Sequence, residues 1–328
     1  MRAASSLEAG LIRAATPFFS RSGRHASLLV LTFHRILPEP DPLRPDEPDA
    51  ATFSTVLDLL RASFNLLPLA DAVQQLLAGT LPARSVCVTF DDGYADNCEV
   101  ALPVLSSKGV PATVFVAPGF LGGGRMFNDS VIEAVRRAPR ELDLTAEGLG
   151  HYPLVDSKTR LQAIDRLLRE LRYREPAERL RLAERITEMA GASLPTDLMM
   201  TPAQVRQLYE AGIEIGAHTI DHPILARVDD DTARRQIGES KRVLEALIGA
   251  PVTSFAYPNG RPSQDYTHQH VAMVREAGFE VAVSTAWGAA TSSTDPFQIP
   301  RIGPWGRSAA RYAALMLAAY RDRKHAIA

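Results

Sequence analysis

Cysteine is almost absent from this sequence, with only Cys87 and Cys98 in 328 residues. That is too few for a disulfide framework or a thiolate-held zinc site, so any metal must be bound by histidine and carboxylate. The two thiols are read as buried and free. Net charge is nearly absent as well, at −2, which gives no electrostatic reason to expect nucleic acid or an acidic membrane surface as partner. No apolar run approaches the roughly 20 residues that a spanning helix needs. Repeats, low-complexity tracts and the HExxH signature of a zinc peptidase are all missing. What remains is 46% apolar and 23% charged residues, the balance of a globular protein with a sizeable core.

Residues 1–27 have an early arginine and a central glutamate but no continuous apolar core. They do not read as a secretory signal, and a cytoplasmic location is expected. Leu7, Leu11 and Ile12, with Phe18 and Phe19 beyond, would form one side of a short amphipathic helix, better suited to docking than to anchoring in a membrane.

From residue 28 onward, short apolar runs alternate with helix-periodic segments. LLVLTF (28–33), SVCVTF (85–90), PATVFVA (111–117), EIGAHT, PVTSFAYP and FEVAVST read as strands. Between them lie helical patterns, among them TFSTVLDLLRASF with Thr52 as its cap, and RSAARYAALMLAAYRDR as a closing helix. The glycines at 122–124 interrupt this rhythm, and residues from about 125 to 200 read as a charged α-helical insertion. The fold expected is α/β: a distorted (β/α) barrel of about seven units over residues 28–328, with that insertion. In such barrels chemistry gathers at the C-terminal ends of the strands.

The polar residues fall at those ends. HTIDH sets His218 and His222 four apart, so a helical turn would bring both imidazoles to one side. Two histidines and a carboxylate suit a catalytic divalent ion, although a surface turn would account for the same spacing. Asp91 and Asp92 follow a wholly apolar strand. Either they cap a loop or they divide the labour of a metal site, one binding the ion and the other taking a proton from water.

TFDDGYADN (89–97) and HTIDH (218–222) resemble the first two motifs of the polysaccharide deacetylases, carbohydrate esterase family 4, and FAYPNG (255–260) resembles the third. The resemblance implies metal-dependent hydrolysis of the N-acetyl amide of an amino sugar in a poly- or oligosaccharide. It further implies Asp91 as general base, Asp92, His218 and His222 as ligands of a divalent ion (Zn, with Co or Ni also suited), and the Tyr94 backbone N–H as oxyanion donor. The late Leu-x-His motif that carries the family's acid histidine is missing near 285–310, and His268, His270 and His325 sit in unsuitable contexts. His34, in LTFHRI, resembles instead the early strand-end acid of the biofilm-polysaccharide deacetylases.

The third motif also lacks the arginine that orients the base, since Ala256 stands before Tyr257 and Pro258. Arg301, in IPRIG, is a candidate for that role, and it is also grouped with Tyr257, Pro258 and Trp287 as substrate-binding. Tyr257 and Trp287 would form an apolar wall against an acetyl methyl or a sugar face. Two other readings stay open: a deacylase of a small or lipid-linked amino sugar, and a non-catalytic carbohydrate-binding protein on the same barrel.

Overall fold

A run such as SVCVTF, apolar on both faces, is stable only where both faces are covered, the situation of a strand inside a parallel sheet. The computed structural model describes residues 21–303, 309–322 and 326–328, and in it every residue of this run is buried. The amphipathic helix expected within residues 1–20, and His325, lie outside the described residues.

In chain order the strands are β1 (Ser27–Phe33), β2 (Asn65–Leu66), β3 (Ser85–Phe90), β4 (Thr113–Val116), β5 (Glu141–Leu144), β6 (Gly150–Pro153), β7 (Glu214–Ala217), β8 (Ser254–Ala256), β9 (Val281–Val283) and β10 (Ala290–Thr291). The main sheet runs β10-β1-β3-β4-β7-β8-β9, with β2 beside β3. All of its pairings are parallel except that of β10 with β1. Parallel neighbours need crossovers, and helices such as Ala50–Ser63, Leu102–Lys108 and Asp230–Ile248 supply them.

Residues beyond β10 bring the curled sheet round on itself. Ile299 bridges Val283 of β9 and Ile302 bridges Leu31 of β1, both in parallel. The result is the expected α/β architecture of a distorted barrel. Its core joins residues of β1, β3, β4 and β7 to the covering helices, including Leu29, Val88, Val114, Ile215 and Leu60. Among the described residues, no helix is long and apolar enough to cross a membrane.

Two details differ from the sequence reading. The first long helix is capped by Asp49, not Thr52: the Asp49 side chain accepts the Thr52 N–H at 2.7 Å, and the helix spans Ala50–Ser63. A carboxylate three residues before that amide reaches it, whereas Thr52 lies inside the first turn. The second difference is in the charged segment. Residues 40–45 and 122–199 form their own compact unit, which holds an antiparallel ribbon, β5 with β6, beside the helices Phe127–Arg137, Ser157–Leu171 and Pro176–Met189. The alternation of exposed Glu141 and Asp143 with buried Leu142 and Leu144 spans only four residues, too short to stand out against the helical periodicity around it.

This second unit also takes in part of what read as a polar loop. Leu43 joins its apolar core. Arg44 is buried and pairs with Asp129 at 2.9 Å and Glu133 at 3.4 Å.

In the barrel, Gly216 of β7 stands opposite Phe115 of β4. A Cβ there would lie 2.3 Å from Phe115 Cδ1 and 2.8 Å from Ser254 Oγ. Gly216→Ala is expected to lower stability by about 1–3 kcal/mol through overpacking, measured by urea unfolding. An unchanged midpoint would mean that the Phe115 ring has room to move aside.

Candidate active site

Parallel register brings the strand ends together. β1 and β3 pair from Leu28 and Ser85 to Phe33 and Phe90, so His34 and Asp91 emerge side by side, and the Asp91 amide donates to the Phe33 carbonyl at 2.9 Å. One step along, the His218 amide continues the β4–β7 ladder by donating to the Val116 carbonyl at 3.0 Å. The chain then turns sharply. Asp92, Thr219 and His222 all adopt positive φ, at 78°, 61° and 52°, a conformation that costs a non-glycine residue about 1–3 kcal/mol. Gly93, at φ 85°, takes the same region without penalty.

These turns converge three donor atoms. Asp92 Oδ1 lies 3.4 Å from His218 Nε2 and 3.4 Å from His222 Nε2, and the candidate ligand atoms of the three residues all fall within 4.8 Å of one another. Nδ1 of His218 lies 2.7 Å from the Ala256 carbonyl. A carbonyl only accepts, so that nitrogen carries a proton and, in the neutral ring, Nε2 presents a lone pair. Bonds of about 2.0–2.2 Å at a tetrahedral ion separate its ligands by about 3.4 Å, the spacing found. The donor set of two imidazoles and a carboxylate therefore fits a divalent metal ion. Burial alone would raise the Asp92 carboxyl, but its contact with His218 and the charges of His222 and His34 hold it well below the usual carboxylate range.

Asp91 meets a different partner. Arg301 Nη1 and Nη2 each lie 2.7 Å from one of its carboxylate oxygens, and both side chains are almost fully buried. Burial opposes ionisation of Asp91, but the Arg301 guanidinium, with His218 and His34, overrides it and keeps the carboxyl low. Arg301 is further fixed by the Ser284 carbonyl at 3.0 Å and Thr89 Oγ1 at 3.3 Å. The arginine that pairs with Asp91 thus comes from the closing segment of the barrel.

His34 is half-buried within the electrostatic reach of the same group. Burial disfavours its imidazolium, yet the charges of Asp92, Glu47 and Asp91 outweigh that and raise its pKa above the ordinary histidine value. Its strand end is held by residues that the sequence reading did not single out. Asn97 Nδ2 donates to the His34 carbonyl at 2.9 Å. Asp96 accepts from Arg35 Nε at 2.7 Å and from the Ile36 amide at 3.3 Å, and Glu47 accepts from the Arg35 amide at 3.3 Å. Asp96 and Asn97 were in view, as the end of TFDDGYADN, but nothing local links them to a segment 60 residues earlier.

Three of the residues expected to bind substrate are buried among partners within the protein. Tyr257 is a core residue: its ring stacks on Tyr266 with centroids 3.9 Å apart, and its hydroxyl donates to the Phe297 carbonyl at 3.1 Å. Pro258 is buried beside it, its carbonyl accepting the Gly260 amide at 2.7 Å. Arg301 is buried with both Nη atoms on the Asp91 carboxylate. Trp287, by contrast, is 37% exposed and follows Ala286, whose carbonyl accepts the Arg301 amide at 3.0 Å. Tyr94 is buried under the Arg35 guanidinium, 4.9 Å from the ring centre.

Comparison with known proteins identifies the family. Residues 78–167 and 181–282 match the profile of a family described as Polysaccharide deacetylase. YxkH of Bacillus subtilis (strain 168), provisionally named a polysaccharide deacetylase, is 21% identical over 67% of this chain, and the chain spans about half, 51%, of that relative's length. Among solved structures, deacetylase PplD of Streptococcus pyogenes, in complex with acetate, is similar with a TM-score of 0.59 and 18% identity over 89% of this chain and 98% of that one. IcaB from Ammonifex degensii is similar with a TM-score of 0.57 and 20% identity over 91% and 99%. At these identities the structural likeness establishes the fold.

Arg301→Met would leave the Asp91 carboxylate buried without its partner, an expected loss of about 3–5 kcal/mol. Adding Asp91→Asn is expected to recover most of it. Urea unfolding of the single and double variants tests this, and equal losses in both would show that lost packing, not lost charge, is responsible.

Proposed function

The chain belongs to the polysaccharide deacetylase family, and on that footing we propose that it hydrolyses the N-acetyl amide of an amino sugar in a poly- or oligosaccharide. The observation that carries this reading is the juxtaposition of two carboxylates with separate partners: Asp92 facing two imidazoles, Asp91 facing Arg301. One is equipped to hold a divalent ion, for which the donor set favours zinc, with cobalt or nickel also suited. The other stays ionised and aimed, as a general base requires.

A metal ion held by Asp92, His218 and His222 supplies Lewis-acid character to the site. Asp91 takes the proton from the attacking water as its oxygen bonds to the acetyl carbon. Arg301 keeps that carboxylate charged and in one orientation. The Tyr94 backbone N–H is assigned to the developing oxyanion. The carbon–nitrogen bond then breaks, acetate leaves, and His34 delivers a proton to the departing amine nitrogen. A raised pKa suits that task, because the imidazolium must persist at neutral pH to serve as acid.

Release of acetate from short N-acetylglucosamine oligomers tests the proposal. Metal-loaded protein is expected to release it, whereas chelated protein and Asp91→Asn are not. His34→Ala should lower kcat by about 10²- to 10⁴-fold with metal content unchanged. Should the ion be bound and no oligomer react, a small or lipid-linked amino sugar becomes the substrate to try.

The pH profile gives a second test. Activity requires ionised Asp91 and protonated His34, so it rises with pH through the lowered Asp91 pKa and falls through the raised His34 pKa. Glu47→Gln removes one of the charges that raise His34, and should move the alkaline limb to lower pH. A limb that stays in place would show that it belongs to another group.

A further inference from the structure

The turn that carries the two histidines is held on both sides. Thr219 and His222 have positive φ, and between them lie the amides of Ile220 and Asp221. Gln236, buried on the helix Asp230–Ile248, receives both: its Oε1 accepts from Ile220 N at 2.9 Å and from Asp221 N at 2.9 Å. Its Nε2 donates to Asp221 Oδ2 at 2.8 Å. On the opposite side the Gly119 amide donates to the Ile220 carbonyl at 3.0 Å. A Cβ at Gly119 would lie 2.4 Å from Asp221 Oδ1 and 2.7 Å from the Ile220 carbonyl oxygen.

We propose that Gln236 is a positioning residue for the metal centre, clamping the HTIDH turn so that His222 faces Asp92 and His218. The inference rests on the assignment of those three residues as metal ligands. His218 is fixed by its strand and by the Ala256 carbonyl. His222 lies four residues further, beyond the strained turn, so its place depends on what holds residues 220 and 221. A carboxamide accepts from two N–H groups through its oxygen and donates to a carboxylate through its nitrogen, so both functions are met at once from separate atoms. An ionised carboxylate of the same length accepts but cannot donate, and an aliphatic side chain does neither.

The test is binding of cobalt(II) alone to the full chain, by competition with a chromophoric chelator and by the cobalt absorption spectrum, with unfolding curves to verify the fold. Gln236→Ala is expected to bind cobalt about 10- to 100-fold more weakly, the usual cost of losing a group that orients a ligand, while remaining folded. Gln236→Glu sets a carboxylate against Asp221 and should also weaken binding. Adding Asp221→Asn to it restores a donor opposite the new acceptor and should recover affinity. Gly119→Ala, which pushes the same turn from the other side, should weaken binding too.

Wild-type affinity in Gln236→Ala would overturn the proposal and leave the metal centre standing. So would a double variant that binds no better than Gln236→Glu. If the wild-type chain itself binds no cobalt, or His222→Ala binds it normally, the ligand assignment fails and the clamp fails with it.

Discussion

A carboxylate ionised inside a barrel must be neutralised where it stands, and the pairing of Asp91 with Arg301 does this with two bonds of 2.7 Å. Desolvating each ion costs several kcal/mol, which only close, fully bonded geometry offsets. That requirement reaches well beyond the two side chains. Arg301 lies between Ile299 and Ile302, the residues that bridge β9 and β1. The contact that brings the sheet round on itself is therefore also the one that delivers the guanidinium. Ionisation of Asp91 thus draws on the closure of the barrel, which the backbone bonds of Ile299 and Ile302 secure.

Around that pair the site is built from rigid strand ends followed by strained turns. By the register of the sheet, His34 and Asp91 leave it at one level and His218 two residues further along. Beyond Asp91 and His218 the chain adopts backbone conformations that a free chain would avoid, at Asp92, Thr219 and His222. Buried polar side chains hold the segments that follow the strands: Asp96 and Asn97 at the His34 segment, Gln236 at the histidine turn. Each such side chain satisfies backbone groups that the turn removes from the ladder, which is why these positions are polar although they are buried.

The segment read as a helical insertion follows a different rule. It forms a unit with its own apolar core, closed by the ribbon of β5 and β6, and it takes residues 40–45 from the loop after β1. Arg44 illustrates the cost of that arrangement. Its charge is buried, and Asp129 and Glu133 are both engaged to balance it.

The amino-acid sequence by itself determined the barrel class, the strand ends and the candidate ligands. These are carried by local signals: apolar runs of strand length, glycine and proline punctuation, and polar residues placed immediately after a strand. Asp91, Asp92, His218 and His222 were legible as candidates from their places after strands, and their roles followed from the resemblance of TFDDGYADN and HTIDH to the polysaccharide deacetylase motifs. Tertiary structure alone decided what each residue faces. Tyr257 follows a strand and could have lined a pocket, but stacking on Tyr266 places it in the core. Arg301 could have met a substrate, but the closing segment turns it onto a carboxylate 210 positions earlier. Gln236 gave no signal at all, since a glutamine in a charged helix is ordinary until the turn it serves is brought against it. Local chemistry sets which groups are available; the long-range register of the sheet sets their partners, and no short stretch of sequence records that.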